Sequence, residues 1–137
     1  MLVVLQFSAI LAIVLVCPFP RTLSALAVLT AGSALGIASI ITMKLDNLRI
    51  FPEPKQDIRL VTSGPYRFIR HPMYTSVLLM MISFVVQAPS LETIILWLLL
   101  LTVLLAKIRI EERLIPLHFP EYILYQQRTW KLIPLIY

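Results

Sequence analysis

Residues 72–106 read PMYTSVLLMMISFVVQAPSLETIILWLLLLTVLLA: two apolar stretches, 72–88 and 91–106, parted by Pro89-Ser90 and carrying a single charged residue, Glu92. Pro and Ser break a helix and favour a turn. The stretch therefore reads as a helical hairpin made of apolar helices rather than of amphipathic ones. Each arm is somewhat short of the roughly 20 residues that cross a bilayer upright, so tilt or local thinning is expected.

The same pattern extends toward the N-terminus. Residues 2–17 carry no charge, and 22–43 form a longer apolar run containing Ala31, Gly32, Ser33, Ala34 and Gly36. Small residues at that spacing allow helices to approach closely in lipid. A secretory signal peptide is the rival reading of 2–17, but such a peptide carries a basic leading region and a small-residue cleavage site. Here the apolar run begins at once, and Pro18-Phe19-Pro20-Arg21 turns it into the next one. A second hairpin is the expectation. Composition agrees: of 137 residues 59% are hydrophobic and 14% charged, against roughly a quarter charged in soluble domains. Mean hydropathy is +0.89. The expected fold is an all-α integral membrane bundle of four transmembrane helices, forming one domain over 1–137. A cytosolic loop spans 44–71 and a cytosolic tail 107–137.

Orientation follows from the basic residues. Lys44, Arg49, Lys55, Arg59, Arg67 and Arg70 lie in the loop, and Lys107, Arg109, Arg113, Arg128 and Lys131 in the tail. Arg21 alone lies on the other side, and basic residues collect on cytoplasmic segments. Both termini are expected in the cytoplasm, of a bacterial inner membrane or an endoplasmic reticulum. The same rule accounts for the net charge of +5 without nucleic acid as a partner. The lone Cys17 permits no internal disulfide. No metal site is expected, and haem is excluded because the apolar helices lack facing histidines.

Two polar segments meet on the cytosolic side. The first, 59–74, reads RLVTSGPYRFIRHPMY. Ser63-Gly64-Pro65 is a turn signal, and Pro72 suits the first position of a helix. Arg70 and the N–H groups of that helix start form an expected anion site, with His71 beside it. The second is Lys107-Ile108-Arg109-Ile110-Glu111-Glu112-Arg113, continuing the fourth helix. Lys107 and Glu111 share a face and Glu112 points elsewhere. On physical grounds alone a plainer reading stands beside this one. The arginines bind anionic headgroups, the glutamates form surface pairs, and Tyr66, Tyr74, Tyr122, Tyr125 and Trp130 form an interfacial belt.

The run Leu60-Val61-Thr62-Ser63-Gly64-Pro65-Tyr66-Arg67-Phe68-Ile69-Arg70-His71-Pro72-Met73-Tyr74, followed past a hairpin by Glu111-Glu112 and then Phe119-Pro120-Glu121-Tyr122, resembles the isoprenylcysteine carboxyl methyltransferase family. That family is related to the membrane phospholipid methyltransferases. The resemblance covers roughly 59–134 in order, spacing and topology. It implies S-adenosylmethionine as cofactor and a lipid-like or prenylated acceptor, with membrane lipids as neighbours. Leu60, Val61 and Tyr66 would line the cofactor pocket, and His71, Pro72, Met73 and Tyr74 would wrap it. Glu111, with Glu112 beside it, would hold it from the fourth helix. The chain departs from the family at Ser76 and Pro120, where glycine is common. It also departs at Lys107, where an arginine meets the acceptor carboxylate; Lys107, with Arg109 nearby, would take that catalytic position. Lysine keeps the charge and loses the two-pronged fork. The resemblance thus implies methylation of a lipid-like or prenylated carboxylate. A phospholipid N-methyltransferase is the alternative enzyme, and a non-catalytic lipid-binding membrane subunit the alternative from another class. A reporter enzyme fused at the C-terminus should be active only when its fold matures in the cytoplasm; activity confined to the opposite side contradicts the expected orientation.

Overall fold

The computed structural model describes residues 1–48, 60–134 and 136, and of 44–48 and 118 the backbone alone. Arg49, Lys55 and Arg59 of the basic loop lie outside the described residues, as does the side chain of Lys44. Among the described residues the chain forms helices α1 (Leu2–Val16), α2 (Leu23–Leu48), α3 (Pro72–Gln87), α4 (Leu91–His118) and α5 (Tyr122–Arg128), with a 3-10 turn over Gly64–Arg67 and no strand. The all-α expectation holds. Helices α2 and α4 are long and apolar enough to cross a membrane, while α1 and α3 are shorter apolar helices. Helix α4 runs past the apolar run to His118 despite Pro116. The missing N–H of that proline falls in the last turn, which Phe119 N closes by donating to Ile115 O at 2.9 Å.

Side-chain spacing explains the packing. Ala9, Ile13 and Cys17 recur every four residues along α1, and Leu100, Leu104 and Ile108 do so along α4; both rows are buried in one core with Leu78, Met81 and Phe84 of α3. Residues four apart share a helical face. Outward faces stay apolar, with Phe7, Leu11, Leu15, Ile37, Ile41, Leu98 and Leu99 all exposed, as suits a lipid surround. Helices α2 and α3 approach most closely where α2 carries glycine. A Cβ on Gly32 would lie 2.9 Å from Met80 N, and one on Gly36 2.5 Å from Ser76 Oγ. Ser76 Oγ in turn donates to Gly32 O at 2.7 Å, so the hydroxyl occupies the space that a glycine would leave and satisfies itself on the facing backbone.

The turns are closed by polar side chains, since a helix start leaves its first N–H groups without partners. Gln87 at the end of α3 accepts from Arg21 N and Thr22 N at 2.7 and 2.9 Å, closing the start of α2. Ser90 and Thr93 form a reciprocal cap at the start of α4, where the sequence predicts a break. At the opposite end, the beginnings of α1 and α3 meet the ends of α2 and α4. That end carries the polar cluster. Gly36→Ala should lower stability by about 1–3 kcal/mol. Adding Ser76→Gly, which frees the colliding space, should recover part of the loss. Thermal unfolding of both variants in one detergent checks this, and simple additivity of the two losses contradicts the proposed collision.

Candidate active site

Arg70 is the centre of the polar cluster. Its side chain is only 7% exposed and its Nε donates to Glu112 Oε1 at 2.7 Å, Glu112 itself being 11% exposed. The guanidinium also donates to the carbonyls of Gln126, at 3.0 Å, and Thr129. One cation thereby joins the start of α3, the end of α4, and α5 with the residue that follows it. The backbone repeats the junction: Arg70 N donates to Trp130 O at 2.7 Å, His71 N to Lys131 O at 3.1 Å, and Trp130 N to Phe68 O at 3.0 Å. Thr75 Oγ1 adds a bond to Leu132 O at 2.8 Å. The anion site expected at the start of α3 is therefore filled from within. The tail's carbonyls take the Arg70 and His71 N–H groups, and Glu112 takes the arginine.

Burial alone would raise the Glu112 carboxyl, but hydrogen bonds from His71 and Arg70, and their charges, hold it at about 2. Glu112 lies beyond the apolar run of α4. A depressed carboxyl stabilises the fold above its ordinary range near 4.5. That contribution fades only as pH falls toward the lower value. His71 Nε2 lies 3.3 Å from Glu112 and its Nδ1 3.6 Å from Glu111. The His71 ring stacks on Tyr74, with centroids 5.6 Å apart, and Tyr74 Oη donates to Glu111 Oε1 at 2.5 Å.

Beside this cluster lies a cavity of about 540 Å³. It is lined by Leu60, Val61, Tyr66, His71, Pro72, Met73, Tyr74 and Glu111, and also by Met43, Arg70, Ile115, Phe119, Tyr122 and Tyr125. The Ser-Gly-Pro turn sets its rim. Gly64 has φ +55°, and a Cβ there would lie 2.6 Å from Thr42 Oγ1, so the turn rests directly on α2. The chain then enters a 3-10 turn that buries Tyr66. The hydroxyls of Tyr66 and Tyr122 are both buried and have no hydrogen-bond partner among the described residues. Burial raises the pKa of both phenols and pushes Tyr125 to about 12, against the opposing charge of Arg70. All three stay protonated at neutral pH. Tyr125 spends its proton on Tyr66 O at 2.5 Å; Tyr66 and Tyr122 keep theirs. Buried donors of this kind are costly unless something pairs with them.

The structure thus brings together Leu60, Val61, Tyr66, His71, Pro72, Met73, Tyr74 and Glu111 of the sequence-predicted residues around one space. Glu112 sits behind it, holding Arg70 and His71. Lys107 lies outside the lining: its Nζ donates to Gln6 Oε1 at 2.8 Å and stands 4.9 Å from the Tyr74 ring centroid. Arg109 is exposed. Sequence reasoning missed Gln6, although a lone amide in an apolar helix is itself a signal. It read Tyr122 and Tyr125 as a tail motif or interfacial belt. Nothing in the sequence marks Met43.

The family model for phospholipid methyltransferases matches residues 20–121. The chain belongs to the phospholipid methyltransferase family. No curated protein and no solved structure matches it significantly. The chain is accordingly a membrane methyltransferase, and the resemblance read from its motifs falls in the same group of enzymes. The match contains α2, α3, α4 and the residues between them. Helix α1 and the Thr129–Leu132 segment lie outside it, yet both touch the cluster. Glu112→Ala should strand the buried Arg70 and destabilise this methyltransferase toward the lower end of the roughly 3–5 kcal/mol expected for a broken buried pair, because the tail carbonyls remain. Trypsin should then cut after Arg128 faster than in wild type. Glu111→Ala, at the more exposed neighbour, should leave both readouts nearly unchanged.

Proposed function

We propose that this membrane methyltransferase takes its methyl group from S-adenosylmethionine held in the cavity, and delivers it to a lipid-linked acceptor, preferably a carboxylate such as that of a prenylated cysteine. On this reading all four apolar helices cross the bilayer with both termini in the cytoplasm. The observation that carries it is the convergence of Glu111, Tyr66 and Tyr122 on the lining of one cavity, with the two tyrosine hydroxyls lacking a hydrogen-bond partner among the described residues. The cavity's size falls within the range of small-molecule sites, roughly 300–1,000 Å³. The donor set suits the cofactor. Two phenol O–H groups match a carboxylate, Glu111 matches ribose hydroxyls or an ammonium, and Met43, Met73, Ile115 and Phe119 offer apolar walls to a purine.

S-adenosylmethionine, when bound, supplies a sulfonium methyl group open to in-line displacement. Helices α3 and α4 hold the site walls, and a site that aligns acceptor and cofactor favours attack by an anion that loses its charge in the reaction. An acceptor carboxylate needs no base. His71 is poorly placed to act as one, since both its ring nitrogens face carboxylates. The Lys107 ammonium, fixed near Tyr74, provides a positive charge for an anionic acceptor. Methylation of a phospholipid amine is the second reading, favoured by the name of the matching family; Glu111 would then be the cavity carboxylate that receives the proton.

Calorimetry with S-adenosylhomocysteine tests the cofactor. Wild type should bind, and Glu111→Ala should bind at least about tenfold more weakly, the effect of losing a charged hydrogen bond of roughly 1.5–3 kcal/mol. Equal affinity refutes the assignment. Lys107→Ala should raise the KM for a prenylcysteine acceptor and leave cofactor affinity unchanged. If phosphatidylethanolamine is the acceptor instead, removing Lys107 should be neutral or helpful, because an ammonium repels a protonated amine.

A further inference from the structure

Gln6 stands on α1, an apolar helix otherwise without hydrogen-bonding side chains apart from Ser8. It is buried, 8% exposed, at the head of the row that continues through Ala9 and Ile13 into the core. A buried amide in such a helix is costly and calls for a partner. Its partner is Lys107, across the α1–α4 interface, at 2.8 Å. Lys107 has a four-carbon stem and many accessible rotamers. Unanchored, it would extend toward water and headgroups. The amide oxygen of Gln6 instead holds the ammonium 4.9 Å from the Tyr74 ring, within the range of a cation–π contact. Tyr74 in turn donates to Glu111. A continuous chain of polar contacts therefore runs from α1 through α4 and α3 to the cavity wall.

We infer that Gln6 is a positioning residue that sets the acceptor preference of the enzyme by holding Lys107 beside the cavity. The inference rests on the reading of the cavity as a methyl-transfer site. Gln6 occupies one of the three ammonium donors. The others stay available to an anionic oxygen arriving from the membrane side. A neutral amide suits this role: it orients the cation without cancelling its charge, whereas a carboxylate in the same place would neutralise it. Helix α1 lies outside the stretch matched by the family model.

The test uses the full chain in lipid nanodiscs, with S-adenosylmethionine and two acceptors, N-acetyl-S-farnesylcysteine and phosphatidylethanolamine. Gln6→Leu should raise the KM for the farnesylcysteine carboxylate about tenfold or more, the effect of displacing a charged hydrogen-bond donor. The KM for S-adenosylmethionine should stay within about twofold, as a structural loss would not allow. Gln6→Glu keeps the contact and neutralises the charge, so it should lower the preference for the carboxylate at least as far. In a Lys107→Leu background, Gln6→Leu should change the acceptor KM no further. An unchanged carboxylate KM in both Gln6 variants overturns the proposal, as does an equal rise for acceptor and cofactor. Binding of S-adenosylhomocysteine by each variant shows that the cofactor site is intact. Failure of wild type to bind it would overturn the cavity assignment instead, and is distinguishable from either result.

Discussion

The arrangement depends on one buried cation. Arg70 is almost fully enclosed, and an enclosed guanidinium is tolerated only when its charge and its donors are matched. Glu112 supplies the charge, and the backbone of α5 at Gln126 and of Thr129 just after it supplies acceptors. Because these partners come from the end of α4 and from the tail, satisfying Arg70 fixes three separate segments against one another. His71 and Pro72, next in sequence, are thereby aimed at the cavity. Glu111, next to Glu112 on α4, is presented to the same space from the opposite wall. Adjacent residues on one helix point about 100° apart, which divides the pair. One carboxylate goes to structure and the other faces the cavity.

That division explains what could and could not be read from the chain. The helices were legible because apolar runs, Pro-containing breaks and the small residues of α2 each have a local cause. The cavity was largely legible through the run from Leu60 to Tyr74 and through Glu111, since the family resemblance rests on those residues. Arg70 was misjudged for a physical reason. A cation at a helix start reads as an anion site unless the chain that returns to cover it is known, and pairing between 68–71 and 129–132 has no sequence signature. Tyr122 and Tyr125 were visible as a motif, but aromatic residues near a membrane surface have two roles with the same composition. Only burial separates them, and burial depends on where α5 returns.

The parts outside the family match complete the site. The core of α2, α3 and α4 carries Met73, Tyr74 and Glu111, and the Ser-Gly-Pro turn carries Tyr66. Helix α5 brings Tyr122 over the cavity, and the segment behind it takes up the donors of Arg70. Helix α1 reaches the same end of the bundle with Gln6. A small membrane enzyme has few residues with which to build a polar pocket in an apolar frame, and here Arg70, His71, Tyr74, Glu111 and Glu112 are matched with one another. Among the described residues the buried hydroxyls of Tyr66 and Tyr122 have no hydrogen-bond partner, and both residues line the cavity.

The most direct measurement is the affinity for S-adenosylhomocysteine of wild type and of the Tyr66→Phe/Tyr122→Phe double variant, by calorimetry in the same nanodiscs. Phenylalanine keeps the shape of the cavity and removes only the two donors. If the cofactor occupies this cavity and pairs with those hydroxyls, wild type binds and the double variant binds about tenfold or more weakly, as expected for two lost hydrogen bonds of about 1 kcal/mol each. Unchanged affinity in the double variant would contradict the account.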